Sequence, residues 1–265
     1  TEMAPVAVVP YDEVPRENSE GPEYGRARLL RWMYQDAGAL AVRAVAPRTL
    51  LYSAATFGAT LGLALFDDDL IGAGEGITDG PVREALDVVD YLGGPFINGP
   101  VVAIAGVSLL TSNDKFQDAA FTSLQTLICA GLLGYALKGI FGRTRPEWTE
   151  DPYEFFSTTG KNPFSHEGNS SYPGGHAISS FGIITPWVIY YPGPLTYSLY
   201  ALPVGTAVSR VVRKKHWPTD LAVGAAIGVA MGHWLSRRHQ GAREEAVEIY
   251  FLERGGLFGL RVNLE

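Results

Sequence analysis

The chain has 265 residues, 46% of them hydrophobic and 18% charged, with 21 Lys and Arg against 28 Asp and Glu for a net charge of −7. That is too much apolar material for a disordered chain, and the acidic balance argues against a nucleic-acid binder, which needs a basic surface. A single cysteine, Cys129, excludes a disulfide scaffold and a cysteine-based zinc site.

Residues 1–25 are rich in Pro, Glu and Gly and read as an arm without a core of its own. From Gly25 to Ala46 an amphipathic segment carrying Arg26, Arg28, Arg31 and Arg43 predicts a helix that Pro47 ends. Six apolar blocks follow. The first, Leu50–Phe66, stops at Asp67-Asp68-Asp69, and Pro100–Leu110 and Ala119–Ile140 come next. Ala177–Tyr191, Leu195–Val212 and Leu221–Leu235 complete the set, the last meeting Arg237 and Arg238. Between the first two blocks, Val82, Ala85, Leu86 and Val89 recur at helical spacing and predict a surface helix. Strand-type alternation is confined to Ala246–Leu252 and Leu257–Val262. The expected fold is all-α: a bundle of about six core helices with peripheral helices over residues 26–240, then a short strand-like tail over 241–265.

A membrane span needs about 20 apolar residues, which only the third block comfortably supplies, the first and fifth being borderline. Charge placement favours the membrane over a soluble bundle. If all six blocks cross, the Arg-rich segment before them and Arg237, Arg238 and Arg243 after them share a side, as cytoplasmic loops do. The loop Thr111–Asp118 on that side adds only Lys115.

Three polar stretches interrupt the apolar background. Lys138 to Pro146 closes a hydrophobic helix with Lys138, Arg143 and Arg145, which read either as partners of the helix dipole or as phosphate ligands. Ser171-Tyr172-Pro173-Gly174-Gly175-His176 enters the fourth block, where glycines before a helix let backbone N–H groups approach an anion. Ser209-Arg210 precedes His216 and Asp220, and Asp220 reads either as a helix-capping residue or as the acid that orients His216. In a six-span bundle these three stretches all fall on the face opposite the arginine-rich ends.

The ordered pattern Lys138-x6-Arg145-Pro146, Pro173-Gly174-Gly175-His176 and Ser209-Arg210-x5-His216-x3-Asp220 resembles the type 2 phosphatidic acid phosphatase (PAP2) superfamily, which includes lipid phosphatases, bacterial class A acid phosphatases and vanadium haloperoxidases. The resemblance implies that His216 is a nucleophile forming a phosphohistidine, that Asp220 holds its ring, and that His176 protonates the leaving oxygen. It implies further that Lys138, Arg145, Arg210, Gly174 and Gly175 surround the phosphoryl group. One position departs: Gly174 stands where the family has a phosphate-holding Ser, a loss of about 1–3 kcal/mol for one neutral donor.

Outside the motifs, Arg143, Lys214 and Lys215 read either as cations meeting an anionic headgroup or, in preference, as solvated surface cations; His166 reads as a solvated loop residue, while His233 and His239 take no role. Trp148, Tyr153, Phe155 and Phe156 form either a lipid-contacting rim or ordinary loop packing. The expected protein is a metal-independent and cofactor-independent phosphatase of phosphorylated lipids in a bacterial inner membrane, its site facing the periplasm, with no nucleic-acid partner. The alternatives are a soluble periplasmic acid phosphatase acting on small phosphomonoesters, a haloperoxidase, and a non-catalytic binder of phosphate or lipid.

Overall fold

A computed structural model describes residues 28–74, 76–77, 80–157, 170–240, 247–251 and 258–262. The arm read at 1–25, the loop carrying His166 and most of the tail lie outside these residues. The described part is almost entirely helical. In chain order come α1 (Arg28–Ala44), α2 (Pro47–Leu63), a 3-10 turn (Ala64–Phe66), α3 (Asp67–Gly74), α4 (Gly80–Gly93), a second 3-10 turn (Pro95–Ile97) and α5 (Asn98–Ser108). Then follow α6 (Asp114–Phe141), α7 (Gly175–Tyr190), α8 (Pro194–Ser198), α9 (Ala201–Val212) and α10 (Pro218–His239). Two antiparallel strands, β1 (Val247–Phe251) and β2 (Phe258–Val262), fall where the alternation predicts them, Ile249 opposite Leu260.

The bundle is organised on α6, α7 and α10. Helix α6 starts where Asn113 accepts the Phe116 N–H at 3.0 Å, and it ends where Gly142 adopts a φ of 47°, a left-handed C-cap that glycine takes without strain. Ala119, Ala120 and Ala130 of α6, with Ala177 and Ile178 of α7, are buried together in the core. Helix α10 meets α7 backbone to backbone, because Gly224, Gly228 and Gly232 recur every four residues. A Cβ at Gly224 would strike the Gly174 carbonyl and one at Gly228 the Ile178 carbonyl, while one at Gly232 would lie 3.0 Å from the Gly182 carbonyl. That approach ties the N-terminal ends of α7 and α10 into one rigid piece.

Three expectations change. The Asp67-Asp68-Asp69 run does not stop the first apolar block. The helical course continues through the 3-10 turn to Gly74, because Asp67 is fully buried and accepts the Thr219 N–H and Oγ1–H at 3.0 and 2.6 Å. Helix α4 is more than a surface helix. Val89 packs against Gly205 of α9, and Asp87 and Asp90 pair with Arg213 and Arg210. The fifth block divides into α8 and α9. Among the described residues, two helical runs are long and apolar enough to cross a membrane, Pro47–Gly74 and Asp114–Phe141, each of 28 residues. Leu50, Leu63 and Leu65 on the first and Leu132, Tyr135 and Ile140 on the second point outward.

At the end of the bundle where α6 begins, α1 is held by polar contacts. Asp36 accepts from Gln125 at 2.7 Å, Arg238 at 2.6 Å and His239 at 2.9 Å, and Trp32 stacks on the His239 ring at 3.8 Å between centroids. Arg28 pairs with Asp118 at 2.8 Å and donates to Gln117 at 2.6 Å. His239, assigned no role from sequence, is thus a helix-docking residue.

Candidate active site

The three motifs converge on the opposite end. The last turn of α6 brings Lys138, the loop after it Arg143 and Arg145, and the first turn of α7 His176. The end of α9 brings Arg210, the following loop His216, and the first turn of α10 Asp220. The rings of His176 and His216 are neighbours, with centroids 6.5 Å apart and planes tilted by 56°.

Around the two histidines the cations are largely buried. Arg145 donates to Ser170 Oγ at 3.0 Å, and Arg210 reaches Asp90 Oδ2 at 3.3 Å. The Nε–H groups of both arginines are buried without a hydrogen-bond partner. A buried donor with no acceptor costs about 1–3 kcal/mol, and a bound oxyanion would supply the acceptor that both lack. Lys138 Nζ donates to the Ser170 carbonyl and lies 3.4 Å from that of Ser171, while its Cε sits 3.5 Å from where a Gly175 side chain would begin. Burial and the neighbouring Arg210 lower the Arg145 pKa from its ordinary value. Burial, then the charges of Lys138, Arg145 and Arg210, push the His216 imidazole well below its ordinary 6.5, so the ring is neutral at neutral pH.

The support of His216 differs from the sequence expectation. Its Nδ1 lies 2.8 Å from the Ser171 backbone carbonyl, whereas the nearest Asp220 oxygen is 3.9 Å away, beyond hydrogen-bond reach. A neutral ring that donates from Nδ1 to a carbonyl leaves the Nε2 lone pair free. Asp220 acts one step back: Oδ2 accepts the Ser171 hydroxyl at 2.5 Å and the Trp217 N–H at 3.0 Å. It therefore caps α10 and also fixes the segment whose carbonyl holds His216.

The other Asp220 oxygen leads to a residue that sequence reasoning misplaced. Arg143, expected at the surface, is fully buried. It donates to Asp220 Oδ1 at 2.6 Å, Asp67 Oδ2 at 2.8 Å, Thr219 Oγ1 at 2.9 Å and the Pro152 carbonyl at 3.0 Å. Its guanidinium lies over the Phe155 and Trp217 rings, 4.8 and 5.2 Å from their centroids. Phe155 is thus loop packing, while Trp148, Tyr153 and Phe156 are exposed, Phe156 with its ring also near Phe57 and Phe141. Lys215 pairs with Glu147 at 2.5 Å. Lys214, two residues before His216, has a φ of 54°, a left-handed backbone that a lysine adopts only under local constraint.

Gly174 also departs from expectation. Its N–H donates to the Asp220 carbonyl at 2.8 Å and is thus spent within the fold. A Cβ there would meet Leu221 Cδ2 at 2.9 Å and the Asp220 carbonyl at 3.1 Å. Close packing of the α7 and α10 N-termini, rather than a phosphate contact, accounts for the glycine.

Residues 119–244 match the family model described as PAP2 superfamily. Lipid A 1-phosphatase of Porphyromonas gingivalis is 29% identical over 124 residues, which cover 42% of this chain and 24% of that protein, so the chain matches under a quarter of that relative's length. Among solved structures, the transmembrane PAP2-type phosphatidylglycerolphosphate phosphatase from Bacillus subtilis superimposes with a TM-score of 0.51 at 18% identity, covering 83% of this chain and 98% of that one. Aquifex aeolicus LpxE gives a TM-score of 0.47 at 18% identity over 63% of this chain and 92% of that one.

Proposed function

From the match of residues 119–244 to the PAP2 superfamily model, we propose that the chain is a phosphatase of phosphorylated lipids, working through a phosphohistidine. One observation carries the reading: two neighbouring histidines, one held neutral with Nε2 free, ringed by Lys138, Arg145 and Arg210 with two buried N–H donors unspent. Such a site suits a phosphomonoester, which brings close to two negative charges and reacts mainly through positioning and charge stabilisation. His216 Nε2 attacks phosphorus as the bond to the lipid oxygen breaks, and His176 gives that oxygen its proton. The incoming phosphate charges favour the protonated form of His176. Water then attacks the phosphohistidine, passing its proton to His176, and inorganic phosphate leaves. Lys138, Arg145, Arg210 and the first N–H groups of α7 stabilise the phosphoryl oxygens throughout. No metal enters this scheme.

A membrane setting in the bacterial cell envelope is supported by the outward-facing apolar side chains of the Pro47–Gly74 and Asp114–Phe141 runs. An extracytoplasmic site is supported by Arg237 and Arg238 at the far end of the bundle, where a cytoplasmic excess of positive charge belongs. The relatives' printed activities, a lipid A 1-phosphatase and a phosphatidylglycerolphosphate phosphatase, favour a lipid over a soluble phosphomonoester.

The test is phosphate release from p-nitrophenyl phosphate, phosphatidate, phosphatidylglycerophosphate, lipid A phosphate and an isoprenyl diphosphate, with EDTA present and His216→Ala in parallel. Release from a lipid that His216→Ala abolishes is the expected result. A preference for p-nitrophenyl phosphate selects the broad acid phosphatase instead. No release by the folded protein overturns the catalytic reading.

A further inference from the structure

Helix α1 has its polarity reversed with respect to a helix in water. The side turned to α6 and α10 carries Arg28, Trp32 and Asp36 at one-turn spacing, and both charges are almost wholly buried and paired there. The opposite side carries Leu30, Tyr34, Ala37, Ala41 and, just past the last turn, Val45, again at helical spacing. Leu30, Tyr34 and Val45 are 71%, 86% and 69% exposed. A water-facing helix buries its apolar stripe and solvates its charges. Charges turned inward and paired, with the apolar stripe outward, is the arrangement required where the surroundings are hydrocarbon.

Two further observations say what covers the stripe. Beyond the turn at Val45 and Ala46, Leu50, Leu51 and Tyr52 of α2 are also exposed, at the start of a run long and apolar enough to span. Exposed Arg31 and Arg48 flank it, long cationic side chains that reach lipid phosphates while their stems stay in apolar surroundings. With 17 residues α1 is about 25 Å long, and its pairing with Gln117, Asp118 and then Gln125 lays it along the first turns of α6.

We propose that α1 is embedded in the membrane leaflet surrounding the start of α6, opposite the His216 end, its Leu30–Tyr34–Ala41–Val45 face against acyl chains and Arg31 and Arg48 at anionic headgroups. This extends the membrane setting of the proposed function and rests on it. The experiment uses the full chain in a Cys129→Ala background, with Tyr34→Cys, or Ala41→Cys should that variant fold poorly, carrying an environment-sensitive fluorophore. The protein is reconstituted in phosphatidylethanolamine and phosphatidylglycerol vesicles and quenched by doxyl-labelled lipid or by aqueous iodide. Leu132→Cys on the outward face of α6 is the reference for a lipid-facing site. The expected result is lipid quenching at position 34 comparable to that at 132, and iodide quenching at least several-fold weaker. Iodide quenching at 34 with lipid quenching at 132 overturns the proposal and leaves the membrane reading intact. Shielding from both quenchers at 34 overturns it in favour of cover by protein, from another segment or a second copy. Iodide quenching at both positions removes the membrane reading itself.

Discussion

Replacing Arg143 by Met removes the cation that lies between two fully buried carboxylates, Asp67 and Asp220. Methionine fills a comparable volume, so the loss is electrostatic rather than a cavity. Breaking a buried pair by removing one partner costs about 3–5 kcal/mol, since the remaining charge is stranded. Here two carboxylates are stranded, and the Pro152 carbonyl loses its donor as well. Set against a total stability of about 5–15 kcal/mol, the expected drop is large. Activity should fall with it, because Asp220 fixes Ser171 and the Ser171 carbonyl orients His216. That loss belongs in kcat more than in KM, since no atom of Arg143 faces the phosphate site. Unfolding in detergent micelles, followed with phosphate release, reads both. In an Asp67→Asn background, Arg143→Met should cost less, because one of the two stranded charges is gone. An Arg143→Met protein that unfolds within about 1 kcal/mol of wild type and keeps its kcat refutes the argument.

Gly174→Ser restores the residue of the family pattern, yet it should lower activity. The backbone at φ −67° accepts any residue, but the new Cβ presses on Leu221 and the Asp220 carbonyl. Overpacking of this kind costs about 1–3 kcal/mol of stability, and displacement of the Asp220 carbonyl should lower kcat/KM with it; unchanged stability with a gain in activity would show that the packing yields. Stability should also fall in acid. Between the ordinary imidazole pKa of 6.5 and the much lower one of folded His216, the unfolded chain binds a proton that the native chain does not. The contribution of the neutral ring is therefore whole above pH 6.5 and is lost as the pH falls below it. Comparing the pH dependence of unfolding for wild type and His216→Gln checks this; identical acid losses would count against it.

The site was legible in the sequence wherever chemistry coincides with a helix end. Lys138, His176, Arg210 and His216 each lie beside a Gly, a Pro or an apolar block that fixes which end of the bundle they occupy, and the structure gathers them there. What escaped was anything decided by a distant partner. Arg143 looks like a surface cation because nothing near it in sequence neutralises it; its counter-charge Asp67 is 76 positions earlier, in a run that reads as a helix stop. Asp90 likewise sits on a helix whose spacing suggests a surface, and only the packing of α9 brings Arg210 to it. For Asp220 both sequence readings contain part of the answer, since the same carboxylate caps α10 and acts on His216 through Ser171. The helices themselves follow the apolar blocks, except where a local break in the pattern hides a continuous run, as at Asp67-Asp68-Asp69, or a continuous pattern hides a break, as between α8 and α9.

The glycine contacts between α7 and α10 reach beyond packing. His176 opens one of these helices and His216 immediately precedes the other, so the gap between the rings is set by how closely two backbones touch several turns away. A methyl group added at position 228 never meets the substrate, yet it acts as a wedge at one end of a lever whose other end separates nucleophile from acid. Replacement of these glycines should therefore lower turnover, and it would be misread as a defect in binding if only the phosphate site were considered.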